Sequence, residues 1–490
     1  VTPRIHQTAL ALAVCLLLLG RVPARAGPDA SALDEAWAGR VQRLVKDLEG
    51  VAARCGDAKL FRTRNDIYER ILDFDPDHAT ARKWLRYRRD ASGAWVRPGT
   101  YKPPRNMGKS GLKDALAALD AAGNALADDA LALLSAGLAG TTKAARARIV
   151  REALRVAPDR RELRLANRET QTAEGGWILE ETARAITRHK ELVTGAARAV
   201  DEAPAPERAR PTREENATLL RWNGILQGKH VRLMGTPNPA ELERCERCAE
   251  ACFGLWRSAF GSDAPPSPGF TMYVLRSGEE RLQILKNHPD SNPEYAAYAT
   301  ARTSSWFPKT RRTWMMSPSA SVRLEWCVRQ ALGWMLGAEF GVKGRVGWAF
   351  EGFGLYLSHL ITGTRQTYFV QRTRYNGRKP VAKDDLWTRL RQPGADWRAE
   401  ARTLLASGER PDLRLLLGKG VNTMTTEEML YSYVLAAYCL EGHGERAGRL
   451  LHAVGKDRMT PGDALRKALD MDVDDLEARV ARWLDETAGD

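Results

Sequence analysis

The chain has 490 residues, 43% of them hydrophobic, and a formal net charge of +14. That length exceeds one compact core, so two or three folded domains are expected, and seven cysteines are too few for a disulfide-stapled scaffold. The basic excess is Arg-rich, evenly spread and without a dense Lys/Arg block, so it reads first as general solubility charge and second as attraction to an anionic surface.

Residues 1–26 carry Arg4, an apolar run from Ala9 to Gly20, and small residues at Ala24 and Ala26. A positive start, an apolar middle and an A-x-A site predict a secretory signal peptide cleaved before Gly27. Its removal takes away Arg4, Arg21 and Arg25 and leaves +11. The initial Val fits an alternative bacterial start codon. The protein is therefore expected to be exported, to the periplasm, cell envelope or extracellular space. An uncleaved membrane anchor is the other reading of this segment. No other stretch is long and apolar enough to span a bilayer.

Residues 27–200 are dominated by Ala, Leu, Arg and Glu in helical periodicity, as in Gly111–Gly140. An internal repeat runs through them. Ile71-Leu-Asp-Phe-Asp-Pro76-Asp77 followed by Gly93-Ala-Trp95 recurs 82 residues later as Ala153-Leu-Arg-Val-Ala-Pro158-Asp159 followed by Gly175-Gly-Trp177. Between Arg70 and Val96, eight of 27 positions are identical in the second copy, among them Pro76, Arg82, Arg86, Gly93 and Trp95. A helix, a Pro-Asp step and a second helix resemble tetratricopeptide-type hairpins, in which Pro starts a helix where its missing N–H costs nothing. Each Gly-x-Trp tail is expected to be a short extended piece. Such domains usually bind partners, and a structural spacer is the equal alternative.

Residues 201–215 are rich in Pro and charge and read as a linker. From residue 216 to 490 the texture changes. A strand is expected over Lys229–Met234, an amphipathic helix over Pro239–Phe260, a core strand over Phe270–Leu275 and a hairpin within Tyr295–Met316. Helices follow over Val322–Phe340, Val346–Thr362, Thr426–Glu441, Pro461–Leu469 and Leu476–Leu484. The expected fold class is thus mainly α with a smaller β part. Cys245, Cys248 and Cys252 fall on one helix face. Without a nearby fourth ligand they read as core thiols ahead of a metal site, with a single disulfide between the two.

Two helices carry the chemistry-bearing pattern. Trp348, Glu351, Gly352, Gly354 and Tyr356 resemble the W-x-x-E-G-x-A-x-Y motif of the gluzincin zinc peptidases, in particular the peptidase-MA-like group. The likeness covers residues 216–490 and implies a thermolysin-like domain. In that family the preceding helix carries HExxH; here those positions hold Arg329, Gln330, Ala331, Leu332 and Gly333. Zinc hydrolysis needs two imidazoles one helical turn apart and a carboxylate to take the proton of the bound water. Arg329 is permanently cationic, Gln330 takes no proton, and Gly333 has no side chain. Only Glu351 matches a family ligand. The resemblance therefore implies an inactive relative with no metal and no cofactor, whose former site is Arg329, Gln330, Gly333, Glu351 and Tyr356.

An Arg329–Glu351 ion pair is expected where the metal would sit, with Glu325 a rival partner one turn away. Tyr356, Tyr431, Tyr433 and Tyr438 read first as core residues with hydrogen-bonded tips. Seven of 14 tryptophans lie between Trp306 and Trp397, which suits core packing before an aromatic-lined cleft. The leading functional expectation is an exported pseudo-peptidase that binds a polypeptide or envelope partner. The alternatives are a hydrolase with a non-standard centre near Glu325, Glu351 and the tyrosines, and a structural envelope protein. No nucleic-acid module, P-loop or G-x-S-x-G elbow accompanies these features.

Overall fold

The computed structural model describes residues 32–488, apart from 91–92, 98–101, 103, 138–141, 266–268, 308–309, 311, 369–384, 393 and 409. The expected signal segment lies outside the described residues. The chain is mainly helical with a smaller strand content, and it divides into two compact units between Leu179 and Glu180.

The first unit is a duplication. Helix α1 (Ala32–Asp57) pairs with α2 (Phe61–Phe74), followed by short α3 (Ala79–Trp84) and the antiparallel strands β1 (Arg88–Arg89) and β2 (Trp95–Val96). The order repeats as α4 (Leu112–Ser135), α5 (Lys143–Val156), α6 (Arg161–Ala166), β3 (Glu169–Gln171) and β4 (Trp177–Leu179). Register is conserved between the copies, Arg88 facing Val96 as Thr170 faces Ile178. Leu33, Trp37, Leu44, Leu48, Val51 and Cys55 recur at helical spacing along α1 and fill a core shared with Leu126, Ile149 and Leu163.

Each copy departs from a two-helix repeat in two respects. The helix after the Pro-Asp step lasts only six residues, and the expected extended piece, found at Trp95–Val96 and Trp177–Leu179, pairs back on a preceding strand as a β-hairpin. The cause is local. Arg86 and Arg168 adopt left-handed φ values of +61° and +58°, which halt a right-handed helix. Gly93 and Gly175, at φ +83° and +86°, then make the hairpin turn without Cβ strain. Arg82 and Arg164 donate from Nε to the carbonyls of Pro76 and Pro158 at 2.8 and 2.6 Å, tying each short helix to its entry turn.

The second unit begins earlier than the sequence suggests. Helix α7 (Glu180–Asp201), expected to close the repeat domain, buries Ala185, Leu192, Ala196 and Ala199 in the second unit's core. The expected linker 201–215 is not free: it supplies β5 (Glu207–Arg208) to a sheet and starts α8 (Arg213–Ala217), whose Thr212/Glu215 capping box satisfies the helix start. Backbone pairing to the sheet outweighs the Pro-rich composition that suggested a linker.

The sheet adds β6 (Gly224–Gln227), β7 (Val231–Gly235), β8 (Phe270–Leu275), β9 (Ser304–Trp306) and β10 (Arg312–Met316), in the order β5-β6-β7-β8-β10-β9. The pairs β7/β8 and β8/β10 are parallel; the rest are antiparallel. Alternate residues serve two cores. Leu226, Leu233, Phe270, Met272 and Val274 face the large helical core, whereas Met234, Tyr273, Leu275 and Trp314 face a small cluster with Ile284, Tyr295 and Phe307. Helices α9 (Pro239–Phe260), α10 (Gly278–Asn287) and α11 (Pro293–Thr300) lie between the strands in sequence. The hairpin expected within Tyr295–Met316 is found as the antiparallel pair β9/β10, but the run Ala296–Arg302, expected to be extended, lies largely in α11, because Asn292 caps a helix that Pro293 begins.

The rest of the unit is helical: α12 (Ala320–Phe340), α13 (Gly347–Thr362), α14 (Leu386–Leu390), α15 (Trp397–Ala406), α16 (Leu413–Leu417), α17 (Thr426–His443), α18 (Glu445–Gly455), α19 (Pro461–Leu469) and α20 (Val473–Glu486). Among the described residues no helix is long and apolar enough to cross a membrane.

Candidate functional site

Ser319 caps α12 and Gly341, at φ +70°, ends it; a short loop then leads into α13. These two helices bring together four of the five residues expected at the site. Arg329 donates from Nη2 to Glu351 Oε2 at 2.7 Å and from Nη1 to the Glu351 carbonyl at 3.2 Å. Their side chains are 1% and 0% exposed. Gln330 is buried beside them, and Gly333 lies one turn further along α12.

Glycines on α12 and α13 shape the space around the pair. A Cβ on Gly354 would lie 2.1 Å from Arg329 Nη1, so the guanidinium fills the space that any larger residue would need there. A Cβ on Gly352 would lie 2.1 Å from the Ser432 carbonyl, so this glycine lets α13 and α17 meet backbone to backbone. A Cβ on Gly333 would meet the Phe350 ring at 3.3 Å, so an aromatic edge crowds this position. Glu325 does not compete for Arg329. It is fully buried and accepts hydrogen bonds from Thr364 Oγ1 at 2.6 Å, Gln366 N at 2.8 Å and Thr367 N at 2.6 Å, which pins the chain leaving α13.

This donor set does not fit a zinc ion. Glu351 is held by the Arg329 cation, and Gln330 and Gly333 offer no anionic or imidazole ligand beside it. Among the described residues no group of three or more His, Cys, Asp or Glu side chains is placed to hold a metal.

Tyr356 lies apart from Arg329 in a second buried network. Its hydroxyl donates to Glu441 Oε1 at 2.6 Å, and that oxygen also contacts His189 Nδ1 at 2.9 Å and the Arg398 guanidinium. Burial, then the Glu441 charge, holds the Tyr356 phenol well above its usual range, so it stays protonated. With its hydroxyl committed to Glu441 it is a packing residue. Sequence reading missed this network because its members come from four separate helices, α7, α13, α15 and α17. The available signal was Glu441, a lone carboxylate at the end of an apolar helical run. Tyr433 accepts from Arg365 at 2.9 Å and Tyr438 donates to Glu181 at 3.3 Å, as tyrosines with hydrogen-bonded tips do.

A cleft of about 730 Å³ opens beside the ion pair. Arg329, Gln330, Gly333 and Trp334 of α12 form one wall, and Ser304, Ser305 and Trp306 of β9 another. Strand β9 ends the sheet order and pairs on one side with β10, so its outer edge is open among the described residues. The cleft's charged lining residues are Arg302, Arg329 and Lys343, all basic. Of the seven clustered tryptophans, Trp314, Trp326, Trp348, Trp387 and Trp397 are buried, while Trp306 and Trp334 line the cleft.

No protein-family model, curated protein or solved structure matches this chain. The functional reading therefore rests on the residues themselves.

Proposed function

We propose that the second unit is a gluzincin-like domain that has lost its metal and hydrolytic activity, in an exported bacterial protein that binds a polypeptide or envelope partner. The observation that carries this reading is the buried Arg329–Glu351 pair at 2.7 Å. The accommodating Gly354 supports it, because two departures from the family pattern explain each other sterically. A strand-bounded cleft next to that pair suits an extended segment laid along β9, where main-chain hydrogen bonds give affinity. Its purely basic lining favours an acidic segment. The repeat unit, with tetratricopeptide-like helix pairs, supplies a further contact surface in this reading.

A hydrolase built on Glu325, Glu351 and the tyrosines is disfavoured, because Glu325 holds backbone amides and Tyr356 and Tyr433 are already hydrogen-bonded. A cleft filled by Trp and Arg is disfavoured by the open volume beside Arg329.

The test combines elemental analysis of the purified full chain with casein hydrolysis, with and without chelator. We expect substoichiometric zinc and no cleavage; stoichiometric zinc with chelator-sensitive cleavage overturns the reading. In fluorescence anisotropy a Glu-rich extended peptide should bind, and Lys343→Glu should weaken it about tenfold. Equal binding of a Lys-rich peptide would remove the charge argument.

A further inference from the structure

Four buried thiols gather where α9 crosses α12. Cys245, Cys252 and Cys327 are fully buried and Cys248 nearly so, and all are free thiols in this structure. Cys245 and Cys327 belong to different helices and lie 82 residues apart in sequence. One turn before each stands its partner in an ion pair: Glu241, four residues before Cys245, accepts from Arg323, four residues before Cys327, at 2.5 and 2.9 Å. That bidentate contact fixes the same turn of both helices face to face. The next turn of each carries Cys245 and Cys327, both buried in the core where the two helices pack, and after burial the Cys245 side chain is the next cause that raises the Cys327 thiol.

The other two thiols are placed differently. Cys252 Sγ points at main-chain carbonyls, Cys248 O at 3.5 Å and Val328 O at 3.8 Å. Cys248 is on the same helix as Cys245, three residues on, within one turn of backbone that a disulfide would distort. The cluster is not arranged for a metal.

We propose that Cys245 and Cys327 are a disulfide-forming pair that staples α9 to α12 when the chain folds with a low-molecular-weight disulfide such as oxidised glutathione. The thiolate of Cys245 attacks the oxidant's S–S bond, forming a mixed disulfide and releasing one thiol. The Cys327 thiolate then attacks Cys245 Sγ, closing the intramolecular bond and releasing the second thiol. Two protein thiols lose two protons and two electrons, and the oxidant is reduced to two thiols. Burial raises the Cys327 thiol well above its ordinary range, so exchange belongs to the folding chain, before the helices close over the sulfurs. Once made, the bond is shielded by the same packing. This inference is independent of what the cleft binds.

The experiment is oxidative refolding of the full chain with oxidised glutathione, alkylation of remaining thiols, and tryptic mapping without reductant. Cleavage after Arg244, Arg247, Arg257, Arg323 and Arg329 separates Cys245 from the peptide carrying Cys248 and Cys252, and isolates Cys327 on Leu324–Arg329. We expect the Cys245 peptide joined to the Cys327 peptide, about 2 Da lighter than their sum. The oxidised chain should melt about 5–10 °C above the reduced one, a gap absent in Cys245→Ser and in Cys327→Ser. Cys327 joined to Cys248 or Cys252, or all thiols alkylated after oxidative refolding, overturns the proposal. The wild-type map decides even if a serine variant fails to fold.

Discussion

At Gly354 a missing methyl group and a buried cation account for each other. The Arg329 guanidinium occupies the volume that a Cβ at position 354 would need, at 2.1 Å from Nη1. Gly354→Ala should therefore force the buried ion pair to shift and lower stability by about 2–4 kcal/mol. In an Arg329→Met/Glu351→Met background neither charge is buried and the flexible thioether yields, so the same substitution should fall below about 1 kcal/mol. Urea denaturation of the four chains reads both values, and an equal loss in the two backgrounds would show that Arg329 is not what demands the glycine. Much of this site was legible in the sequence. Arg329, Gln330, Gly333 and Glu351 follow from motif spacing, because helical geometry turns spacing directly into shared faces. The steric link between residues 329 and 354 was not legible, since it depends on the separation of two helices. Nor was the commitment of Glu325 to the 366–367 amides, which depends on a loop beyond α13.

Helices with strong periodicity and clear caps were also readable from sequence. The span Pro239–Phe260, with its N-terminal Pro and following Gly261, is found as expected, and so is the strand Phe270–Leu275. The short elements were not. The extended tail was expected, but its pairing into a hairpin turns on one backbone angle at Arg86 and Arg168, and arginine carries no signal for a left-handed φ. Both side chains are exposed, so changing them tests the backbone alone. Arg86→Gly and Arg168→Gly should each stabilise the repeat unit by about 0.5–1 kcal/mol, the left-handed penalty less the extra chain entropy of glycine. Thermal melts of the full chain measure this. A loss of stability in both variants would mean that the arginine side chains, and not the hairpin geometry, hold the turn.

The whole molecule carries opposing titrations that set where it is most stable. Burial lowers His288 and His443 to about 4 and His359 to about 3, against an ordinary 6.5. Their folded forms refuse protons that the unfolded chain accepts. The stability they lend is complete above pH 6.5 and is lost as pH falls toward 4 and 3. Glu246 acts in the other direction. It is fully buried, neither carboxyl oxygen has a hydrogen-bond partner among the described residues, and burial with the neighbouring Glu250 charge lifts it to about 8 from 4.5. Its folded form keeps a proton that the unfolded chain releases, so this contribution is complete below pH 4.5 and is lost as pH rises toward 8. Three imidazoles outweigh one carboxyl on the acid side, and among these four groups the carboxyl alone titrates between about 6.5 and 8, so the stability maximum should fall at about pH 6–7. Glu246→Gln keeps the shape and removes the titration. Its urea midpoint should therefore hold level from about pH 6.5 to 8, where that of the parent chain declines. A parallel decline in both chains would place the alkaline loss on another group and leave Glu246 a silent buried acid.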